Sequence, residues 1–243
     1  DINESNYTFT INKEGAIRFG LGAVRGLGSG PIDEIVSVRK EKPFTSVFDF
    51  AKRANLRLCN KRVFESLIYA GGLDSLNSDI HRSQYFVQEG AAKPFVEQVI
   101  SYGRNYQDQL GKRQMVIFDM SDEVSTPEPK IPFSEPWSSV YRLNKETEVV
   151  GVFLSGHPLD DFRIEIESFC KGDIRILSEL QDHEGRDLMI AAVVTSSEHR
   201  ITRKGDGFGT LIIEDYYESF RLNLFQENYL RFKHFMEPGT FVI

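Results

Sequence analysis

The stretch Leu21–Ile35, "LGAVRGLGSGPIDEI", could receive a phosphate. Leu21 and Val24, three apart, precede the turn Gly26-Leu27-Gly28, and a helix is expected to open at Ser29 or Pro31. Glycines permit φ > 0 and bare the backbone, so that amide N–H groups can approach an anion. The N-terminus of the following helix adds donors and its positive dipole end. Leu27 is expected to plug into the helix pair and fix the turn. Arg25, Gly26, Leu27, Gly28, Ser29 and Gly30 are therefore the first candidate contacts. The pattern is that of a helix-hairpin-helix, which grips DNA through its phosphates and carries little sequence information. An ordinary glycine-rich αα-turn has the same spacing.

Val63–Leu76, "VFESLIYAGGLDSL", repeats the design with the turn Gly71-Gly72-Leu73. Asp74 stands where the second hairpin glycine would be, and a carboxylate repels phosphate. This copy is expected to pack more than it binds, with Gly71 and Gly72 as its contacts. Between the copies, Ala51–Arg62 ("AKRANLRLCNKR") holds Lys52, Arg53, Arg57, Lys61 and Arg62 and no acidic residue. Local charge of one sign focuses a phosphate backbone; a solvated helix face is the bland reading of the same residues.

Other chemistry is thinly represented. The carboxylates Asp160-Asp161, Glu165/Glu167 and Glu214-Asp215 lack a nucleophile or a second ligand set and read as solvated charge. The five histidines are scattered, and His157 in "GHPLD" reads as a local helix stop. No metal site, P-loop or triad is visible. The net charge of −7 argues against a nucleic-acid binder until it is divided: residues 1–113 carry 16 Lys/Arg against 13 Asp/Glu, and residues 114–243 carry 13 against 23. Two distant cysteines, Cys59 and Cys170, suit a reducing cytoplasm. No apolar run approaches the ~18 residues of a membrane helix, so no membrane role is expected. The start at Asp1, without Met or signal peptide, reads as an excised piece.

The elements that must position these residues change along the chain. Residues 1–18 alternate around Tyr7, Phe9 and Ile11 as a strand or hairpin. From Phe19 to about Gln109 the helical period dominates, with apolar stripes such as Ile32/Ile35/Val36/Val38 and Val63/Phe64/Leu67/Ile68. Pro127, Pro129, Pro132 and Pro136 mark residues 119–137 as a linker. A helix over Asn144–Leu154 follows, stopped by Gly156 and Pro158. After Leu188 the period changes to 2, giving strands over 188–203, 209–225 and 239–243, with "KGDG" as a turn and a helix at Glu227–Met236. That is the order of an OB-type barrel short of its last strands. The fold class expected is multidomain α+β: an all-α tandem helix-hairpin-helix domain, then a truncated all-β OB domain.

"FGLGAVRGLGSG", "NKRVFESLIYAGGLDSL", "VGVFLSGHPLD" and "ITRKGDGFGTLIIEDYYESFRLNLF" together closely resemble the bacterial DNA polymerase III alpha subunits, the replicative DnaE family. The resemblance runs along the whole chain in the family's order. It implies the end of the fingers at 1–18 and a tandem-hairpin clamp-binding domain at 19–118. A Pro-rich linker with a connecting helix would occupy 119–187, and the start of the OB domain 188–243. The catalytic palm with its Mg2+ site would lie upstream, so this fragment would need no cofactor. The region contacting the clamp loader would lie beyond Ile243.

The family binds the beta sliding clamp through a peptide of the form Gln, two variable residues, an aliphatic one, then Phe. Gln114-Met115-Val116-Ile117-Phe118 matches the form and its place after the hairpins, with Ile117 and Phe118 as apolar anchors and Gln114 as a directional hydrogen-bonding group. A buried strand or hairpin within the same domain is the other reading. In the OB part, Arg200, Arg203, Lys204 and Phe208 are candidates for single-stranded template DNA, since OB folds join a basic groove to stacking aromatics. Double-stranded DNA, template strand and clamp are thus the expected partners. The competing expectation is a repair or recombination module that carries hairpins and an OB fold without a polymerase. A scaffold whose hairpins merely pack is a third reading.

Overall fold

The computed structural model describes residues 1–76, 79–115, 126–202 and 205–243. The chain divides into two compact units, Asp1–Leu154 and Ser155–Ile243.

The first unit opens with a short antiparallel hairpin, β1 (Thr10–Ile11) and β2 (Ile17–Arg18). Among the described residues the α-helices that follow are α1 (Ser29–Glu41), α2 (Val47–Arg53), α3 (Lys61–Tyr69), α4 (Phe95–Met115) and α5 (Ser139–Val150). Their starts are written in polar residues. The Ser46 side chain accepts from the Asp49 N–H to cap α2, Asn60 accepts from Val63 to cap α3, and Ser138 accepts from Tyr141 to cap α5. Ile32 and Ile35 of α1, Phe48 and Phe50 of α2, Phe64 and Leu67 of α3, and Phe95 and Val99 of α4 meet in one buried core. Phe50 stacks on Phe64 with ring centroids 4.7 Å apart.

Helix α4 crosses close to the end of α2. The Gln107 amide Nε2 donates to the carbonyls of Ala51, Lys52 and Ala54, at 3.2, 3.1 and 2.8 Å, and so satisfies acceptors that the last turn of α2 leaves open. Gly103 makes the crossing possible, because a Cβ there would collide with the Ala51 carbonyl.

The stretch expected to be a linker has no regular structure from 126 to 137, as its prolines require. It is nevertheless bound to the helices. Gln84 Nε2 donates to the Pro132 carbonyl at 2.8 Å, Ser83 Oγ donates to that of Glu135 at 2.9 Å, and Trp137 stacks on Tyr69 and Phe86. A proline-rich strand has few N–H donors but a full set of carbonyls, and side-chain donors hold it by those. Helix α5 starts at Ser139, five residues before the expected start, and ends at Val150, short of the expected Leu154, capped by Gly151 at φ +86°.

In the second unit, α6 (Arg163–Phe169) precedes a four-stranded antiparallel sheet. Its strands β3 (Ala192–Ile201), β4 (Gly207–Glu214), β5 (Ser219–Phe225) and β6 (Phe241–Val242) lie in the order β5-β4-β3-β6, with α7 (Gln226–Phe232) before the last. A register shift between Val194 and Ser196 bends β3. Leu211 and Ile213 point to a small core with Ile174, Ala192, Val194 and Met236. His157 marks a start and not the expected stop: it caps the 3-10 turn Pro158–Phe162, its Nδ1 accepting from the Leu159 N–H while the Asp160 carboxylate accepts from the His157 N–H. Among the described residues no helix is long and apolar enough to cross a membrane.

Candidate nucleic-acid interface

The first hairpin forms, but its leading element is a single 3-10 turn, Leu21–Ala23, instead of a full helix. Leu21, Val24 and Leu27 are buried and anchor the turn in the core. Gly26 takes φ +92°, and a Cβ there would meet Ser66 Oγ at 2.6 Å and Arg62 Nε at 3.3 Å. The turn is therefore packed against α3, and glycine is needed at 26 for both reasons.

Gly28 is different. It caps α1 with φ −83° and ψ 175°, ordinary extended values, and a Cβ on it would meet nothing within 4 Å. At Gly30 the nearest atom would be Leu58 Cδ2 at 3.7 Å, a normal contact. The fold requires neither glycine, although glycine within a helix costs about 1 kcal/mol against alanine. Among the described residues no side chain caps this helix end. The N–H groups of Ser29 and Gly30 belong to the first turn, where helices leave donors unpaired. The result is a bare, donor-rich, positively poled surface.

The basic residues sort themselves by partner. Arg53 is held within the protein: it pairs with Asp49 at 3.0 Å, donates to the carbonyls of Val38 and Lys42, and lies over the Phe44 ring. Lys52 approaches Glu128 at 3.4 Å and sits over Tyr102 and Tyr106; burial opposes its charge, but Tyr102 and Glu128 raise its pKa overall. Lys61 bonds Glu97 at 2.8 Å, which raises its pKa. Arg25 Nη1 donates to the Glu148 carbonyl at 3.2 Å while its backbone N–H donates to Val149, so the hairpin docks on the C-terminal end of α5. Arg57 and Arg62 are exposed, and their side chains make no hydrogen bond or ion pair among the described residues. Leu58, in the same loop as Arg57, packs at Gly30, and Cys59 Sγ lies 4.0 Å from the Pro31 carbonyl. Arg57, Arg62 and the α1 N-terminus thus belong to one neighbourhood.

The second hairpin keeps its glycine turn, with Gly71 at φ +70°. Asp74 is not a bare carboxylate: Arg82 donates to it through Nε at 3.0 Å and Nη2 at 2.6 Å. A Cβ on Gly71 would strike Arg82 Nη2, and Gly72 is buried. This copy is closed by its own arginine.

Gln114 and Met115 are the last residues of α4, so the helix runs six residues past the expected Gln109; Val116, Ile117 and Phe118 lie outside the described residues. Arg203 and Lys204 also lie outside them. Arg200 pairs with Glu198 at 2.7 Å. Phe208 faces Arg200 across β3 and β4, and faces Phe225 across β4 and β5, stacking on it at 5.6 Å. Phe225, 55% exposed, completes a row that alternation alone did not separate from core.

A family described as a helix-hairpin-helix motif matches residues 1–85. DNA polymerase III subunit alpha of Vibrio cholerae is 29% identical over 246 residues, covering all of this chain and 20% of the relative. The chain is similar along its whole length to DNA polymerase III subunit alpha. The subunit of Escherichia coli K12 is 28% identical over 244 residues, and that of Pseudomonas aeruginosa 27% over 263, again across the entire chain. The chain spans about a fifth of the length of these polymerase subunits. The matched hairpin region contains both glycine turns and the basic segment between them.

Proposed function

We propose that this chain is the DNA-binding and sliding-clamp-binding region of a replicative polymerase related to DNA polymerase III subunit alpha. The observation that carries the DNA reading is the start of α1. Gly28 and Gly30 are glycines the fold does not need, at a helix end that no side chain caps among the described residues. A phosphate held by the Ser29 and Gly30 amides gives both glycines a reason, since a side chain at either would stand in its way. Arg62 and Arg57 supply charge beside it, and Arg25 fixes the turn. Lys52, Arg53 and Lys61 support the surface mainly through their internal partners. Duplex DNA is the substrate class, because this contact set reads backbone and not base edges.

The clamp reading rests on the spacing of Gln114-Met115-Val116-Ile117-Phe118 immediately after the hairpin unit. In the second unit, the OB-type strand order and the row Arg200-Phe208-Phe225 favour contact with the single-stranded template. Nucleotidyl transfer, its Mg2+ and the clamp-loader contact would belong to the remainder of such a polymerase.

Fluorescence anisotropy with a 20-base-pair duplex tests the central claim. Binding should weaken steeply between roughly 50 and 200 mM salt. Absent or salt-independent binding would remove the DNA reading. Pull-down on a bacterial sliding clamp tests the peptide: Ile117→Ala with Phe118→Ala should abolish capture, and failure of the unmodified chain to be captured would refute it.

A further inference from the structure

A groove of about 540 Å3 opens on the first unit beside the hairpin. It is walled by the loop between α2 and α3, through Asn55, Arg57 and Asn60, and by α4, through Arg104 and Asp108. Arg104 is exposed, and its side chain, like that of Arg57, makes no hydrogen bond or ion pair among the described residues. Both asparagines have their oxygens turned inward. Asn55 Oδ1 accepts from the Arg57 N–H at 3.0 Å, and Asn60 Oδ1 accepts from the Val63 N–H at 3.3 Å. Their Nδ2 groups are left as donors. Gln107 offers no competing donor, since its amide is committed to three carbonyls of the α2 end. That same bond fixes the α4 wall against the loop wall.

Two guanidinium groups and two amide donors converging on one groove match the acceptor-only chemistry of a phosphodiester. Asp108 is the acidic residue among those lining the groove, and Glu34 stands behind its wall, accepting from the Asn55 N–H at 2.9 Å; Asp108 lies a turn beyond Arg104 yet forms no ion pair with it among the described residues. The loop that carries Arg57 also packs Leu58 at Gly30, so groove and hairpin are walled by one continuous loop.

We propose that the Arg57–Arg104 groove is a second phosphate site, which takes the backbone of the same duplex that the first hairpin grips. The inference rests on the duplex-binding reading and extends the contact from one helix end to two adjoining sites. Arg104 is a binding residue of this surface, and Asp108 limits its affinity.

The test is duplex binding by the 243-residue chain as a function of salt, with Arg104→Gln, Arg57→Gln, Asp108→Asn and Gly30→Ala compared, and with circular dichroism confirming that each is folded. Arg104→Gln and Arg57→Gln should each weaken binding by roughly 3- to 10-fold and flatten the slope of log K against log salt by about 1. Asp108→Asn should tighten binding. Unchanged affinity and slope in both arginine variants, while Gly30→Ala weakens binding, would overturn the groove and leave the hairpin reading standing. No duplex binding by the unmodified chain would overturn both.

Discussion

Arg82 and Glu146, sixty-four residues apart in the chain, form a buried ion pair at 2.7 Å between the segment after the second hairpin and α5. The Glu146 side chain is fully buried, and its other oxygen accepts from the Leu154 N–H at 2.9 Å. Arg82 reaches Asp74 with its remaining face and donates to the Tyr69 carbonyl. Burial opposes the charge of Arg82, but these partners raise its pKa further still. Three elements that share no local sequence signal are joined at one guanidinium.

The pair predicts a definite mutational pattern. Glu146→Leu leaves Arg82 with Asp74 as its one carboxylate partner and takes the acceptor from the Leu154 N–H, so it should cost about 2–3 kcal/mol in urea unfolding of the first unit. Adding Arg82→Met should recover part of that loss, because it leaves no buried charge unpaired, the Asp74 carboxylate being half exposed. A single-variant cost below about 1 kcal/mol would show that the pair does not hold the elements together.

At Gly30, stability and binding should move in opposite directions. Alanine fits the helix with only the Leu58 contact at 3.7 Å and raises helix propensity by up to about 1 kcal/mol. The melting temperature should therefore hold or rise, while duplex affinity falls because a methyl group now covers the donors. Loss of both together would mean that the glycine serves packing.

Gly26→Ala should instead destabilise. A non-glycine residue at φ +92° costs roughly 1–3 kcal/mol, and the new Cβ would also press on Ser66 Oγ at 2.6 Å. Ser66→Ala in the same chain should relieve the contact but not the backbone strain. Denaturant titration of the single and double variants separates the two contributions; full rescue by Ser66→Ala would show that strain contributes nothing.

Local features of this site were legible in the sequence, and long-range ones were not. Gly26-Leu27-Gly28 announced a turn because positive φ and a buried plug are properties of neighbouring residues. The change of period after Leu188 likewise follows from which face each residue presents. Lys52, Arg53, Arg57, Lys61 and Arg62 read as one basic run, yet the structure divides them. Glu97, Glu128 and the Val38 carbonyl, far away in sequence, decide which charges are engaged. Arg104 gave no signal, since only the crossing of α4 over α2 brings it opposite Arg57. Proline content correctly forbade a helix at 126–137, but composition does not say which side chains will take its carbonyls.

Cys59 gives a prediction at alkaline pH. It is fully buried, and burial pushes its thiol from 9.0 up to about 12, with Glu34 raising it further. The folded state therefore holds this proton more tightly than the unfolded chain does. Its contribution to stability is complete below about pH 9 and is lost as pH rises from there toward 12. Three pH units correspond to a contribution of about 4 kcal/mol at most. Unfolding free energy measured from pH 8 to 11 should fall with a slope that Cys59→Ala reduces. In the native chain at pH 8, a thiol reagent should modify the half-buried Cys170 well before Cys59. Equal rates at the two thiols would mean that the α1–α3 core opens far more readily than its packing implies.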